Sequence, residues 1–145
     1  MATLLDSARD GGYAVGAFNV YNLEGVRAVI SAAETQGSPA ILQLHPGALQ
    51  HGGGPLVALC LTAAGAASVP MAVHLDHSDS FGDVRAALDS GLTSVMADGS
   101  HLAYSDNVAF TRETTEMVRG VGGSTERELG RLAGTEDDLA IPENQ

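Results

Sequence analysis

Short apolar runs rich in Val, Ala and Ile alternate along this chain with longer segments whose apolar positions recur at helical period. That alternation predicts βαβ units around a buried parallel sheet. Four units and the start of a fifth are legible. The first strand is expected over 14–18. A helix follows with Asn22 as N-cap, an apolar stripe of Leu23, Val26, Ile30 and Ala33, and Gly37 as its stop. The second strand is Ala40–Leu44; Pro46 and Gly47 then read as a turn. After Gly52-Gly53-Gly54, Pro55 fits the first position of a second helix ending near Gly65 or Ala67. The third strand, over 71–75, runs into Asp76 and His77; period two places His74 and Asp76 on one face, Leu75 and His77 on the other, and the strand is expected to turn there. Ser80, with Asp83 three residues later, opens a third helix whose stripe is Phe81, Val84 and Leu88 and whose end is Gly91. A fourth strand over 93–96 leads to a helix capped by Ser105 or Asp106 and running towards Gly120. A fifth strand lies within 123–128. Beyond Gly130 the pattern dissolves into Gly, Asp, Glu and Pro, with no further strand expected.

Such a series suits an α/β fold, either an open doubly wound sheet or a (β/α)8 barrel. Polar side chains at the strand ends favour the barrel: Asn19, then Asp76 and His77, then Asp98 and His101, then Glu128. That edge is where a barrel builds its active site. A complete barrel takes about 250 residues, and this chain has 145. The expectation is therefore a partial TIM (β/α)8 barrel, the first four to five β/α units, forming one domain over 1–145. An open half-sheet exposes strand edges and apolar helix faces, so a homo-oligomer is the expected state, and the isolated chain is expected to be unstable or oligomeric.

Composition narrows the function classes. Seven basic residues against eighteen acidic ones give a formal charge of -11, the wrong sign for a nucleic-acid footprint or an anionic membrane surface. A phosphorylated ligand stays open, because helix N-termini and backbone N–H groups supply local positive potential. The single cysteine, Cys60, lies in an apolar helix and reads as a buried thiol, and no leader pattern or membrane span is visible, so a cytoplasmic protein is expected. All seven basic residues are arginines. Schiff-base chemistry through lysine is thus unavailable to these residues.

The segment His74-Leu75-Asp76-His77 carries the chemistry of metal-assisted catalysis: an imidazole is a good zinc ligand and a neighbouring carboxylate serves as general acid or base. Taken alone it equally describes a strand-end histidine beside a capping aspartate. His101 orients a ligand or caps a turn, and Glu136, within a Gly-flanked acidic loop, sits on a lid or in a solvated charge run. His45 and His51 read as surface histidines. Gly52-Gly53-Gly54 lacks the residues of a P-loop and does not match the dinucleotide fingerprint.

Several stretches together resemble the class II ketose-bisphosphate aldolases, the family of fructose-bisphosphate and tagatose-bisphosphate aldolases. Residues 16–24, Gly-Ala-Phe-Asn-Val-Tyr-Asn-Leu-Glu, look like that family's first strand and helix start. His74-Leu75-Asp76-His77 looks like its HxDH signature, and residues 96–101, Met-Ala-Asp-Gly-Ser-His, resemble its MIDGSH motif. Residues 128–138 resemble its ELGRLGGxEDD stretch, and the order is the same. The resemblance implies that His77 is the first zinc ligand and Glu128 a glutamate close to the metal. It implies that Asp76 exchanges a proton with the aldehyde-side oxygen, that Glu136 exchanges the proton at the dihydroxyacetone phosphate carbon, and that Asn19 lies near the substrate.

The implied activity is zinc-dependent aldol cleavage or condensation of a ketose 1,6-bisphosphate, with a phosphorylated ketose or triose as substrate. Two further zinc histidines of the family fall on later strands, so this activity belongs to a longer or complemented chain. The alternative is a catalytically inactive half-barrel that acts as an oligomerising or subunit-like protein.

Overall fold

A computed structural model describes residues 1–130 in full and, beyond them, the backbone of two short strands, Gly134–Glu136 and Leu139–Ile141. The elements are α1 (Ala2–Gly11), β1 (Gly16–Asn19), α2 (Leu23–Gln36), β2 (Ala40–Leu44), α3 (Pro46–Ala66), β3 (Met71–Ser78), α4 (Phe81–Asp89), β4 (Ser94–Ala97), α5 (Tyr104–Gly120), β5 (Ser124–Arg127), β6 (Gly134–Glu136) and β7 (Leu139–Ile141).

β1 to β5 form one parallel sheet in the unbroken order β1-β2-β3-β4-β5. A doubly wound sheet reverses its strand order at a switch point and carries helices on both faces. Neither holds here. Val26 of α2, Val57 and Cys60 of α3, Val84 of α4 and Val118 of α5 join Leu42, Leu44, Val73, Leu75 and Val95 of the strands in a single buried cluster. The four crossover helices therefore cover one face, as right-handed connections between successive neighbours require.

The opposite face begins with a small second cluster, Leu4 of α1 against Ile41 and Ala72 at the starts of β2 and β3. Helix α1 was not legible in the apolar pattern, since only Leu4 and Ala8 of it are buried. It closes the N-terminal edge of the sheet. The C-terminal edge carries polar side chains instead.

Local signals hold where capping chemistry is strong. Asn22 accepts from the Gly25 N–H at 2.9 Å, and Gly37 ends α2 at φ 59. Ser80 accepts from the Gly82 N–H at 3.1 Å. Other expectations need correction. Pro46 and Gly47 are not a turn: they open α3, with His45 as N-cap accepting from the Gly47 N–H at 3.2 Å. The Gly-rich segment breaks that helix at Gly53 (φ 53, ψ -155), and Pro55 restarts it, because proline supplies no N–H to the preceding turn. Helix α5 begins at Tyr104 with Ala103 as its cap, ahead of Ser105 and Asp106. Leu23 is 48% exposed rather than core-facing. Past Gly130, where no strand was expected, β6 and β7 pair antiparallel. Cys60 is fully buried, and burial pushes its thiol up to about 11. Among the described residues no helix is long and apolar enough to cross a membrane.

One tie between layers is pH-sensitive. Glu34 of α2 accepts from both the N–H (2.8 Å) and the hydroxyl (3.0 Å) of Ser68, in the loop before β3. The Ser68 backbone bond, and then its hydroxyl, lower the Glu34 pKa. A depressed carboxyl contributes stability that is present above its unfolded pKa, about 4.3 for Glu, and is lost as pH falls below it. The urea midpoint of the wild type should thus drop more between pH 6 and pH 3.5 than that of Glu34→Gln. Equal drops would remove Glu34 from the account.

Candidate active site

In a parallel sheet, residues in register on adjacent strands point the same way. Asn19 is in register with Gln43, and Gln43 with His74, so all three share the face that the crossover helices leave uncovered. Asp76, two residues beyond His74, lies on that face as well. Asp76 is 6% exposed, and its carboxylate is held from two sides: Gln43 Nε2 donates to Oδ1 at 2.9 Å, and Asn19 Nδ2 donates to Oδ2 at 3.1 Å. Two amides fix the plane of this carboxylate before any ligand arrives.

Strict alternation would send His77 into the apolar layer with Leu75. The register of β3 on β4 instead slips between Leu75 and Ser78, and His77 adopts φ 40. A bulge of this kind re-aims a side chain. The His77 ring consequently stands beside Asp76, with Nε2 at 3.9 Å from Oδ1, and meets the carboxylates at the ends of the next two strands. Its Nδ1 lies 2.8 Å from Oδ2 of Asp98 and 3.4 Å from Oε2 of Glu128. Asp98 follows β4 directly and Glu128 follows β5; the Asp98 N–H bonds to the Ser78 carbonyl at 2.9 Å, and the Glu128 N–H to that of Ala97 at 3.4 Å, so both prolong the ladder.

The hydrogen bond from His77, together with those from Ser100, holds the Asp98 carboxyl well below the usual carboxylate range against the desolvation that raises it. One ligand atom each from His77, Asp98 and Glu128 lies within 4.8 Å of the others. One imidazole nitrogen and two carboxylate oxygens are donor types that Zn2+ takes. The three side chains fit a divalent metal. Their partly buried setting, 17–23% exposed, would keep them reachable by a ligand.

Four of the five residues singled out in the sequence, Asn19, Asp76, His77 and Glu128, meet at the C-terminal edge of the sheet. Glu136 falls in β6, and its side chain lies outside the described residues. His101 is exposed on the turn before α5, and His51 is exposed on α3. His74 is buried, bonded through Nδ1 to Ser94 Oγ at 2.7 Å, with Nε2 3.3 Å from Glu126 Oε2 but out of hydrogen-bond alignment. Two members of the site were missed. Gln43 is the one polar residue in an otherwise apolar strand, a signal that could have found it. Asp98 was noted at a strand end, but its bond to His77 depends on the bulge.

The family model described as fructose-bisphosphate aldolase class II matches residues 1–145. The chain is 46% identical over 140 residues to the fructose-bisphosphate aldolase of Thermus caldophilus, covering 97% of this chain and 46% of that protein. Among solved structures, one from Coccidioides immitis superposes with a TM-score of 0.89 at 41% identity, covering 95% of this chain and 49% of the other. The YdjI aldolase of Escherichia coli K12 gives a TM-score of 0.83 at 30% identity, over 90% and 51%. The chain spans about half the length of the relatives it matches. Over residues 1–145 it belongs to the class II fructose-bisphosphate aldolase family.

Proposed function

We propose that this chain forms the first five β/α units of a (β/α)8 barrel that catalyses zinc-dependent aldol cleavage and condensation of a ketose 1,6-bisphosphate, with dihydroxyacetone phosphate and glyceraldehyde 3-phosphate as the three-carbon partners. The observation that carries this reading is the convergence of Asp76 with the His77, Asp98 and Glu128 group at one edge of the sheet. The unbroken strand order and one-sided helix layer are what a barrel's first five units require. A homo-oligomer and a cytoplasmic setting complete the proposal.

His77, with Asp98 and Glu128 beside it, would supply this chain's donors to the metal, and the two further zinc histidines implied by the resemblance would come from later strands. Bound zinc supplies Lewis-acid polarisation of the ketone, the role that a lysine would fill in Schiff-base aldolases and that no residue here can fill. Asp76 passes a proton to the aldehyde-side oxygen in condensation and takes it back in cleavage, with Asn19 and Gln43 keeping its two oxygens aimed. Asn19, exposed at the end of β1, also faces the substrate. Glu136 exchanges the proton at the dihydroxyacetone phosphate carbon.

A second reading, the inactive half-barrel, draws on exposed aromatics: Phe18 on β1 is 50% exposed and Tyr21 just after it 57%, and among the described residues β1 pairs with β2 alone. The two readings separate in one assay. The chain is joined to the C-terminal half of the Thermus caldophilus relative, and release of dihydroxyacetone phosphate from fructose 1,6-bisphosphate is followed with zinc and after chelation. Zinc-dependent release supports the aldolase reading. A folded, zinc-loaded chimera with no release, or release indifferent to chelation, sinks it.

A further inference from the structure

The two carboxylates that flank His77 sit on separate loops, one after β4 and one after β5, and a single side chain of α5 touches both. Asn107, 5% exposed, donates from Nδ2 to the backbone carbonyl of Glu128 at 2.9 Å. Its Oδ1 accepts from the Thr111 hydroxyl one turn further along at 3.2 Å, which fixes the orientation of the amide. On its other flank the Asp98-Gly99-Ser100 turn lies directly on it. A Cβ at Gly99 would collide with Asn107 Oδ1 and come within 3.2 Å of Asn107 Cα, so the turn is seated with no side chain between. Within that turn the Ser100 N–H donates to Asp98 Oδ1 at 3.0 Å, which carries the seating through to the carboxylate.

We propose that Asn107 is a positioning residue for the metal group: it sets the spacing between Asp98 and Glu128, and through them the donor geometry around His77. Asn107 places its donor on the loop that carries one ligand and its bulk against the loop that carries another. Groups that orient metal ligands typically weaken binding ten- to a hundredfold when lost. The inference rests on the metal-site reading given above, and its test separates the two.

The chimera of this chain with the C-terminal half of the Thermus caldophilus relative, and its variants, are titrated with zinc against a chromophoric chelator, alongside urea midpoints. Asn107→Ala and Gly99→Ala, which disturb the same contact from its two sides, should each lower zinc affinity about tenfold or more. The control is Phe110→Leu, which loosens α5 where Phe110 packs tilted on Phe81 of α4 at 4.8 Å, a contact that includes no residue of either loop. It should shift affinity less than about twofold even at an equal loss of urea midpoint. Wild-type affinity in Asn107→Ala, or equal weakening in Phe110→Leu, overturns the proposal. If the wild type takes up no zinc, the metal-site reading falls by itself, and the positioning role is then read from amide hydrogen exchange at Ser100, Glu128 and Leu129. Faster exchange at these amides in Asn107→Ala than in Phe110→Leu upholds it; parity overturns it.

Discussion

Replacing Asp76 by asparagine should lower aldol turnover by about a hundred- to ten-thousandfold, the range associated with a positioned general acid–base group, while leaving zinc affinity within about threefold. The substitution keeps shape and removes the group that takes up and releases a proton. Gln43 and Asn19 both donate to the carboxylate at present. The new side chain brings its own N–H donors to one of them, and that neighbour can turn its amide over to offer an oxygen. Packing is thus largely preserved and the lost function is chemical. The measurement is kcat in the chimera described above, with zinc content determined on the same sample. Turnover within threefold of wild type would remove Asp76 from the reaction and reassign it to holding β1, β2 and β3 together.

Leu75→Ala should destabilise the fold by about 2–5 kcal/mol, as large-to-small changes in a packed core do. Leu75 has no exposed surface, stands on the middle strand of five, and belongs to the cluster that joins all four crossover helices to the sheet. Such a loss is a large share of a typical domain stability of about 5–15 kcal/mol. Urea unfolding at constant m-value reports it, and Leu75→Met, nearly equal in volume, should stay under about 1.5 kcal/mol. A loss below 1 kcal/mol for the alanine variant, roughly the average for any substitution, would mean that this layer does not carry the fold.

The sequence made the β/α alternation readable mainly through the inner strands β2, β3 and β4, which are buried against helices and so are largely apolar; 40–44 and 71–75 are continuous apolar runs apart from Gln43 and His74, whereas β1 is exposed and β5 is polar. Helix ends marked by Asn22, Gly37 and Ser80 were readable because a side chain or a glycine satisfies otherwise orphaned backbone groups. The end at Ala103 was not, since no side chain caps it. Helix α1 escaped because it buries only a two-residue contact surface. In the site, Asp76 and His77 were legible as residues, and the family motifs supplied their roles. Their geometry was not legible: periodicity sends His77 to the wrong face, and a bulge leaves no trace in a pattern of apolar positions. Gln43 and Asn107 went unassigned because a polar residue inside an apolar strand or on a helix declares its partner only when distant segments meet.

The left-handed backbone at His77 bears on which residue the fold alone would place there. At φ 40 a residue with a Cβ gives up about 1–2 kcal/mol that glycine would not. Stability and chemistry thus ask for different residues at one position of the central strand. A chain that needed only to fold, or to serve as an inert building block, would gain by carrying glycine there. This chain carries the imidazole there, at the position from which it reaches Asp98 and Glu128.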